Sequence, residues 1–193
     1  MVFGLTSSAA ANSTGQLTPL PPVTRHITTH NETTGKAIMH SSGPIQWTPF
    51  QGHPDRFGVP YTTSQWPVNM TGEKDIKQYE DVMKSDDLGL VNPGGTVLRF
   101  VNLAPDDGPY MHRTVSLDYA VVTEGDVELE LDSGEKKIVK RGDVVVQRGT
   151  KHSWRSASQD EWARILFVLM SSDNVEVGGK KLEQKLPSDS GTD

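Results

Sequence analysis

Cysteine is absent from the 193 residues. That excludes disulfides, thiolate metal sites and cysteine nucleophiles. Histidine is scarce: His26, His30, His40, His53, His112 and His152 are the whole supply. A transition metal would therefore have only imidazole, carboxylate or neutral oxygen ligands to draw on. Long apolar runs are missing, and no segment approaches the roughly 20 residues of a membrane-spanning helix. The opening MVFGLTSSAAANSTGQ has no basic start and no sustained apolar stretch, so no secretory leader is expected and the expected compartment is the cytoplasm. Positive charge is in deficit: 19 Lys and Arg against 25 Asp and Glu leave a net charge of -6, which argues against a nucleic-acid partner. Hydrophobic residues make up 34% of the chain. Globular domains run nearer ~45–50% on a slightly wider count, so part of the chain is expected outside the core.

The polar excess sits at the ends and in the first half. Residues 1–22 and the C-terminal PSDSGTD read as flexible segments of small polar residues. RHITTHNETTGKAIMHS predicts two short strands, Arg25–Thr29 and Lys36–His40, around a turn from Asn31 to Gly35. Between Pro44 and Pro67, prolines alternate with Trp47, Phe50, Phe57, Tyr61 and Trp66. Proline excludes helix and the rings need burial, which predicts an ordered loop draped over a core. One helix is expected over Glu73–Lys84, with Thr71 as its N-cap.

From Thr96 onward the pattern is short β-rich runs broken by Gly, Asp and Pro, which predicts an antiparallel sandwich or barrel. In DVELEL, Val127, Leu129 and Leu131 fall on one face, and Asp126, Glu128 and Glu130 on the other. The basic KKIVKRG that follows suits cross-strand charge pairing with those acids. Two segments carry candidate chemistry, MHRTVSLDYAVVTEGDVEL and RGDVVVQRGTKHSWRS. In an unbroken strand His112, Thr114, Ser116, Asp118, Ala120 and Val122 share a face, a wall with a polar mouth and an apolar floor. The tight turn at Gly149 can bring His152 back beside His112.

These segments resemble the two motifs of the cupin superfamily. His112 matches the first His of the first motif and Gly125 its closing glycine; Asp118 stands where the family has Glu, and Thr114 where it has the second His. Gly142, Gly149 and His152 match the second motif, with Gln147 in place of its Pro and Ser156 in place of its Asn. MHRTVSLDY, GDVVVQRGTKHSW, RHITTHN and PYTTSQWP also resemble a subgroup of small single-barrel cupins associated with fungal polyketide pathways. The resemblance implies an all-β fold, a single cupin barrel (double-stranded β-helix, or jelly roll). The barrel is expected over 96–171. An extension at 23–95 would pack on it or on a partner subunit, with an arm at 1–22 and a tail at 172–193.

Cupins typically hold one divalent metal through three His and one Glu. Here the corresponding set is His112, His152 and Asp118, two imidazoles and a carboxylate suited to Fe, Mn, Ni or Zn. The same residues serve a metal-free reading, in which Asp118 and a buried imidazole form an acid–base pair and Thr114 binds substrate or water. Arg99 shares its strand face with Val97 and Val101 and is expected to meet an anionic substrate group or a structural carboxylate. Gln147 and Trp154 flank the second motif as candidate substrate contacts. No phosphate-binding glycine pattern is present, so no nucleotide cofactor is expected.

The expected function is a tailoring lyase or isomerase acting on a carbonyl-rich, polyketide-like small molecule. The alternatives are a non-haem Fe(II) dioxygenase using the His/His/Asp set and a non-catalytic module that holds a small ligand. A homodimer is the expected assembly.

Overall fold

The computed structural model describes residues 15–50, 52–85 and 87–186. Most of the expected N-terminal arm, residues 1–14, and the C-terminal PSDSGTD lie outside the described residues. Asn31 sets the first turn: its side-chain oxygen accepts the backbone N–H groups of Thr33 (3.1 Å) and Thr34 (2.9 Å). This closes a hairpin of β1 (Thr24–His30) and β2 (Ala37–Pro44), at the place where the two short strands were expected.

The proline-rich stretch is not the loop expected from its composition. It contains β3 (Trp47–Pro49) and β4 (Arg56–Thr63), which pair with each other, and β4 pairs onward with β5 (Thr96–Leu103). Pro60 is tolerated because the register slips between Gly58 and Tyr61, where no ladder N–H is demanded. The helix α1 (Lys74–Ser85) follows a short 3-10 turn at Thr71–Glu73. Thr71 does not cap it; Thr71 lies inside that turn, and its own N–H is held by the Asn69 side chain at 3.1 Å. Ile76 and Tyr79 are the buried face of α1, and Tyr79 stacks on Tyr61 of β4.

The rest is strand: β6 (Ser116–Glu124), β7 (Val127–Leu131), β8 (Lys136–Val139), β9 (Val144–Arg148), β10 (His152–Ser156) and β11 (Ala163–Ser171). A hairpin of β12 (Val175–Val177) and β13 (Lys180–Leu182) ends the fold. Two sheets face each other, one in the order β3-β4-β5-β11-β6-β9 and the other β10-β7-β8. Both pack into one core. Val97, Val101, Ala120, Val122, Ile165 and Phe167 come from the large sheet, and Val127, Val139 and Trp154 from the small one. Each large apolar side chain buried there contributes about 1.5–3 kcal/mol. Gly125 sits where β6 crosses to β7, with φ 66°; a Cβ would meet the Trp162 carbonyl oxygen at 2.9 Å. The expected acid–base pairing on the solvent face of the small sheet is present. Lys136 reaches Glu128 (3.3 Å) and Glu130 (3.0 Å), and Arg155 reaches Glu128 (2.7 Å).

The outer face of the large sheet is covered by the preceding chain. Arg164 donates from Nε to Asn102 Oδ1 (2.7 Å) and from Nη1 to the Pro21 carbonyl (2.8 Å), beneath the Trp47 ring. Asn102 also donates to Thr18 (3.3 Å), and Gln16 is fully buried. Residues 15–22 are thus docked on the sheet. No helix among the described residues is long and apolar enough to cross a membrane.

Candidate active site

A cavity of about 110 Å³ lies between the two sheets. His152 opens β10 and enters it after a turn at Gly149, whose φ of 61° reverses the chain. Gln147 braces that turn: its amide donates to the Thr150 hydroxyl. The Thr150 carbonyl in turn lies 2.8 Å from His152 Nδ1. His112 is joined to His152 by a pair of backbone hydrogen bonds (2.8 and 2.9 Å), and its Nδ1 lies 2.9 Å from the Tyr110 carbonyl. A carbonyl only accepts, so Nδ1 carries the proton in both rings and each Nε2 keeps a lone pair. The ring centroids are 4.5 Å apart. Burial pushes both imidazoles toward the neutral form. His152 falls to about 4, lowered first by burial and then by the neighbouring His112.

The expected wall on β6 is present, with Ser116, Asp118, Ala120 and Val122 all buried on the inner face. Thr114 lies on the same side just before the strand and accepts a hydrogen bond from Ser116 (2.8 Å). Asp118 is 3% exposed, and its Oδ1 is buried without a hydrogen-bond partner. Burial pushes its carboxyl up to about 6, against the opposing pulls of the Ser116 hydroxyl and Arg99. Arg99 points inward from β5, as strand parity predicted, and lines the same cavity. Trp154 meets His152 and Phe167 edge-to-face (centroids 5.8 and 5.7 Å), and its indole N–H is buried and unpartnered. Gln147, expected at the substrate, is not among the residues lining this cavity; its amide is committed to Thr150 and so positions His152.

The cupin likeness implies a metal, and the side chains test that. His112 and His152 are close, with lone pairs available, and would make half of a ligand set. Asp118 does not complete it. Among the described residues no three His, Asp or Glu side chains converge on a point that suits a metal ion. The reason lies in the architecture: Asp118 projects from the large sheet, its charged neighbour is Arg99, and its side chain is one methylene shorter than Glu. The expected His/His/Asp set is therefore a histidine pair plus a separate carboxyl.

Sequence reasoning missed a second group at the cavity. Asp55 is 5% exposed and accepts the Ala104 N–H at 2.7 Å; burial pushes it up to about 6. Tyr110 donates to Asp107 (2.7 Å) and its hydroxyl also contacts His53, while Phe50 stacks on both His53 and Phe57. Asp55, Phe50 and Phe57 come from the proline-rich stretch. Its lack of periodicity gave no signal of which side chains face inward.

No family model matches the chain. It is 43% identical over 160 residues to "Phomopsin biosynthesis cluster protein D" of Diaporthe leptostromiformis, covering 82% of this chain and 83% of that protein. It is 36% identical over 167 residues to a cupin-domain-containing oxidoreductase of Aspergillus ruber, covering 85% and 80% respectively. Among solved structures, a cupin-like protein of Thermotoga maritima overlaps 45% of this chain and 62% of its own, with TM-score 0.37 and 23% identity.

Proposed function

The chain belongs to the cupin-domain proteins, and from that premise we propose that it is a tailoring enzyme of secondary metabolism that moves protons on a carbonyl-rich small molecule. The observation that carries this reading is the pair of neutral, Nδ1-protonated imidazoles facing a buried carboxyl across an apolar cavity. An Nε2 lone pair, that of His152 or His112, takes the proton from a carbon α to a carbonyl. The C–H electron pair moves into the C–C bond and the carbonyl π pair onto oxygen. Asp118, held toward its protonated form by burial, hands its proton to that oxygen. The imidazolium then gives its proton to carbon at another position, which is isomerisation, or to a departing β-hydroxyl that leaves as water, which is dehydration; in both cases the enol O–H returns its proton to Asp118 as the carbonyl re-forms. Thr114 orients the oxygen, and the surrounding Val, Ile and Phe side chains exclude water.

Exchange into 1,3-dicarbonyl compounds in D2O tests the reading. The wild type should accelerate α-deuteration, and His152→Ala should lose about 10²–10⁴-fold, the usual worth of a positioned base. Equal exchange by wild type and variant would overturn it.

One observation favours a second reading. The Aspergillus ruber relative is named as an oxidoreductase. Stoichiometric iron in the purified protein together with O2 uptake would favour redox chemistry over proton transfer. Binding without turnover would favour a ligand-holding role.

A further inference from the structure

We propose that the substrate carries an acidic oxygen, a carboxylate or an enolate, on an apolar aromatic body, and that Arg99 receives that oxygen. The inference rests on the reading of this cavity as the substrate site and adds the class of molecule that enters it.

Arg99 is 6% exposed. Its guanidinium carries five donor hydrogens, yet its one hydrogen bond among the described residues is from Nη2 to the Gly89 carbonyl (2.8 Å). Its Nε is buried with no partner. No described carboxylate lies within ion-pairing distance of it; Asp118 is its charged neighbour but falls outside that range. A buried cation left without an anion is costly, and a group in that condition is explained when a ligand completes it. The guanidinium is also held in place: it lies over the Phe57 ring, 5.4 Å from the centroid.

Register places Arg99 and Asp118 relative to each other. Arg99 of β5 lies opposite Phe167 of β11, and Asp118 of β6 lies opposite Leu169 of the same strand. One strand therefore separates the two charged residues, with apolar side chains between them. Asp118 Oδ1 and the Trp154 indole N–H are likewise buried and unpartnered on this cavity. Ligand oxygens in this cavity can accept from the Arg99 guanidinium and the Trp154 indole N–H, and from Asp118 when that carboxyl is protonated. Most of the remaining lining is apolar, Phe57, Val101, Ile165 and Phe167 among it, which suits a flat apolar body. The lining has one cation, no lysine, and the carboxyls Asp55 and Asp118. That balance fits a single acidic oxygen group and disfavours a phosphate dianion.

Calorimetric titration of the full chain with 2-naphthoate and with its neutral counterpart 2-naphthamide tests the proposal. The wild type should prefer the naphthoate by about tenfold or more, the worth of a charge-assisted hydrogen bond. Arg99→Met should abolish that preference, and a urea-unfolding midpoint close to that of the wild type shows that the variant is folded. Arg99→Lys should retain part of the preference. Equal wild-type affinities, no naphthoate binding, or an undiminished preference in Arg99→Met would overturn it. The two readings fail separately: a naphthoate preference without α-deuteration sinks the enzyme and leaves the anion site, and α-deuteration without the preference does the reverse.

Discussion

The two faces of the large sheet each bury an arginine, and they treat it differently. On the outer face Arg164 is met by the protein itself, through Asn102, the Pro21 carbonyl and the Trp47 ring. On the inner face Arg99 has one carbonyl, one ring and an unpartnered Nε. Burial depresses both guanidinium groups, Arg99 to about 10. The difference is one of degree: among the described residues Arg164 makes two hydrogen bonds and leaves its Nη2 unpartnered, whereas Arg99 makes one and leaves its Nε unpartnered beside the cavity. The outer-face arginine holds residues 15–22 on the sheet; the inner-face arginine lines the cavity proposed as the substrate site.

Substitutions on opposite faces should separate these roles. The largest effect belongs to the inner face: His152→Ala should lower kcat/KM by about 10²–10⁴-fold with a small change in Tm. A matching collapse of Tm would make the imidazole pair structural and erase the contrast. Next in size is the outer face. Arg164→Met removes two charge-assisted hydrogen bonds and strands the buried Asn102 oxygen, which should cost about 2–4 kcal/mol in urea unfolding while kcat/KM stays near wild type. Arg99→Met should be within about 1 kcal/mol of wild-type stability, since replacing an unpaired buried charge by an apolar side chain is often neutral or stabilising. Equal losses for the two arginine variants would break the comparison.

The pH dependence is a subtler test of the inner face. His152 has an ordinary value of 6.5 and falls to about 4 in the fold, so its contribution to stability is present above 6.5 and lost as pH falls through 4. Asp118 rises from 3.8 to about 6, so its contribution is present below 3.8 and lost as pH rises through 6. The two oppose each other between these limits. Asp118→Asn should therefore lose stability more steeply than wild type on acidification from pH 6.5 to 4, read as urea midpoints across that range. In kcat/KM the acid limb should lie near 4 and the alkaline limb near 6, and Asp118→Asn should flatten the alkaline limb. The smallest effect is expected at Trp154: Trp154→Phe keeps the ring contacts and removes an N–H that has no partner, so stability should change by less than about 1 kcal/mol.

Much of this was legible along the chain. Alternation in VELEL and SLDYAVVTE placed side chains on the correct faces of β7 and β6, and parity alone turned Arg99 inward. The glycines at 125 and 149 marked where strands change sheet or reverse. The stretch from Pro44 to Pro67 was not legible as strand, because β4 tolerates Pro60 through a register slip that depends on its partner β5. The Asn69 bond in front of α1 was obscured by Thr71, an equally plausible cap. Asp55 and Tyr110 carry no local mark of function; they reach the cavity because a loop and an edge strand close over it.

The cysteine-free, histidine-poor composition determined which chemistries were open, and motif spacing determined that His112 and His152 belong together. Tertiary structure decided that Asp118 stands apart from that pair and that Gln147 supports a turn and does not line the cavity. It also decided that, among the described residues, Arg99 keeps a single hydrogen bond and no anion while Arg164 makes two, from Nε and Nη1, and leaves only its Nη2 unpartnered. The division has a physical basis. Which face a residue takes follows from a two-residue period within one strand, whereas which atoms meet across a cavity depends on the separation of sheets formed by distant segments.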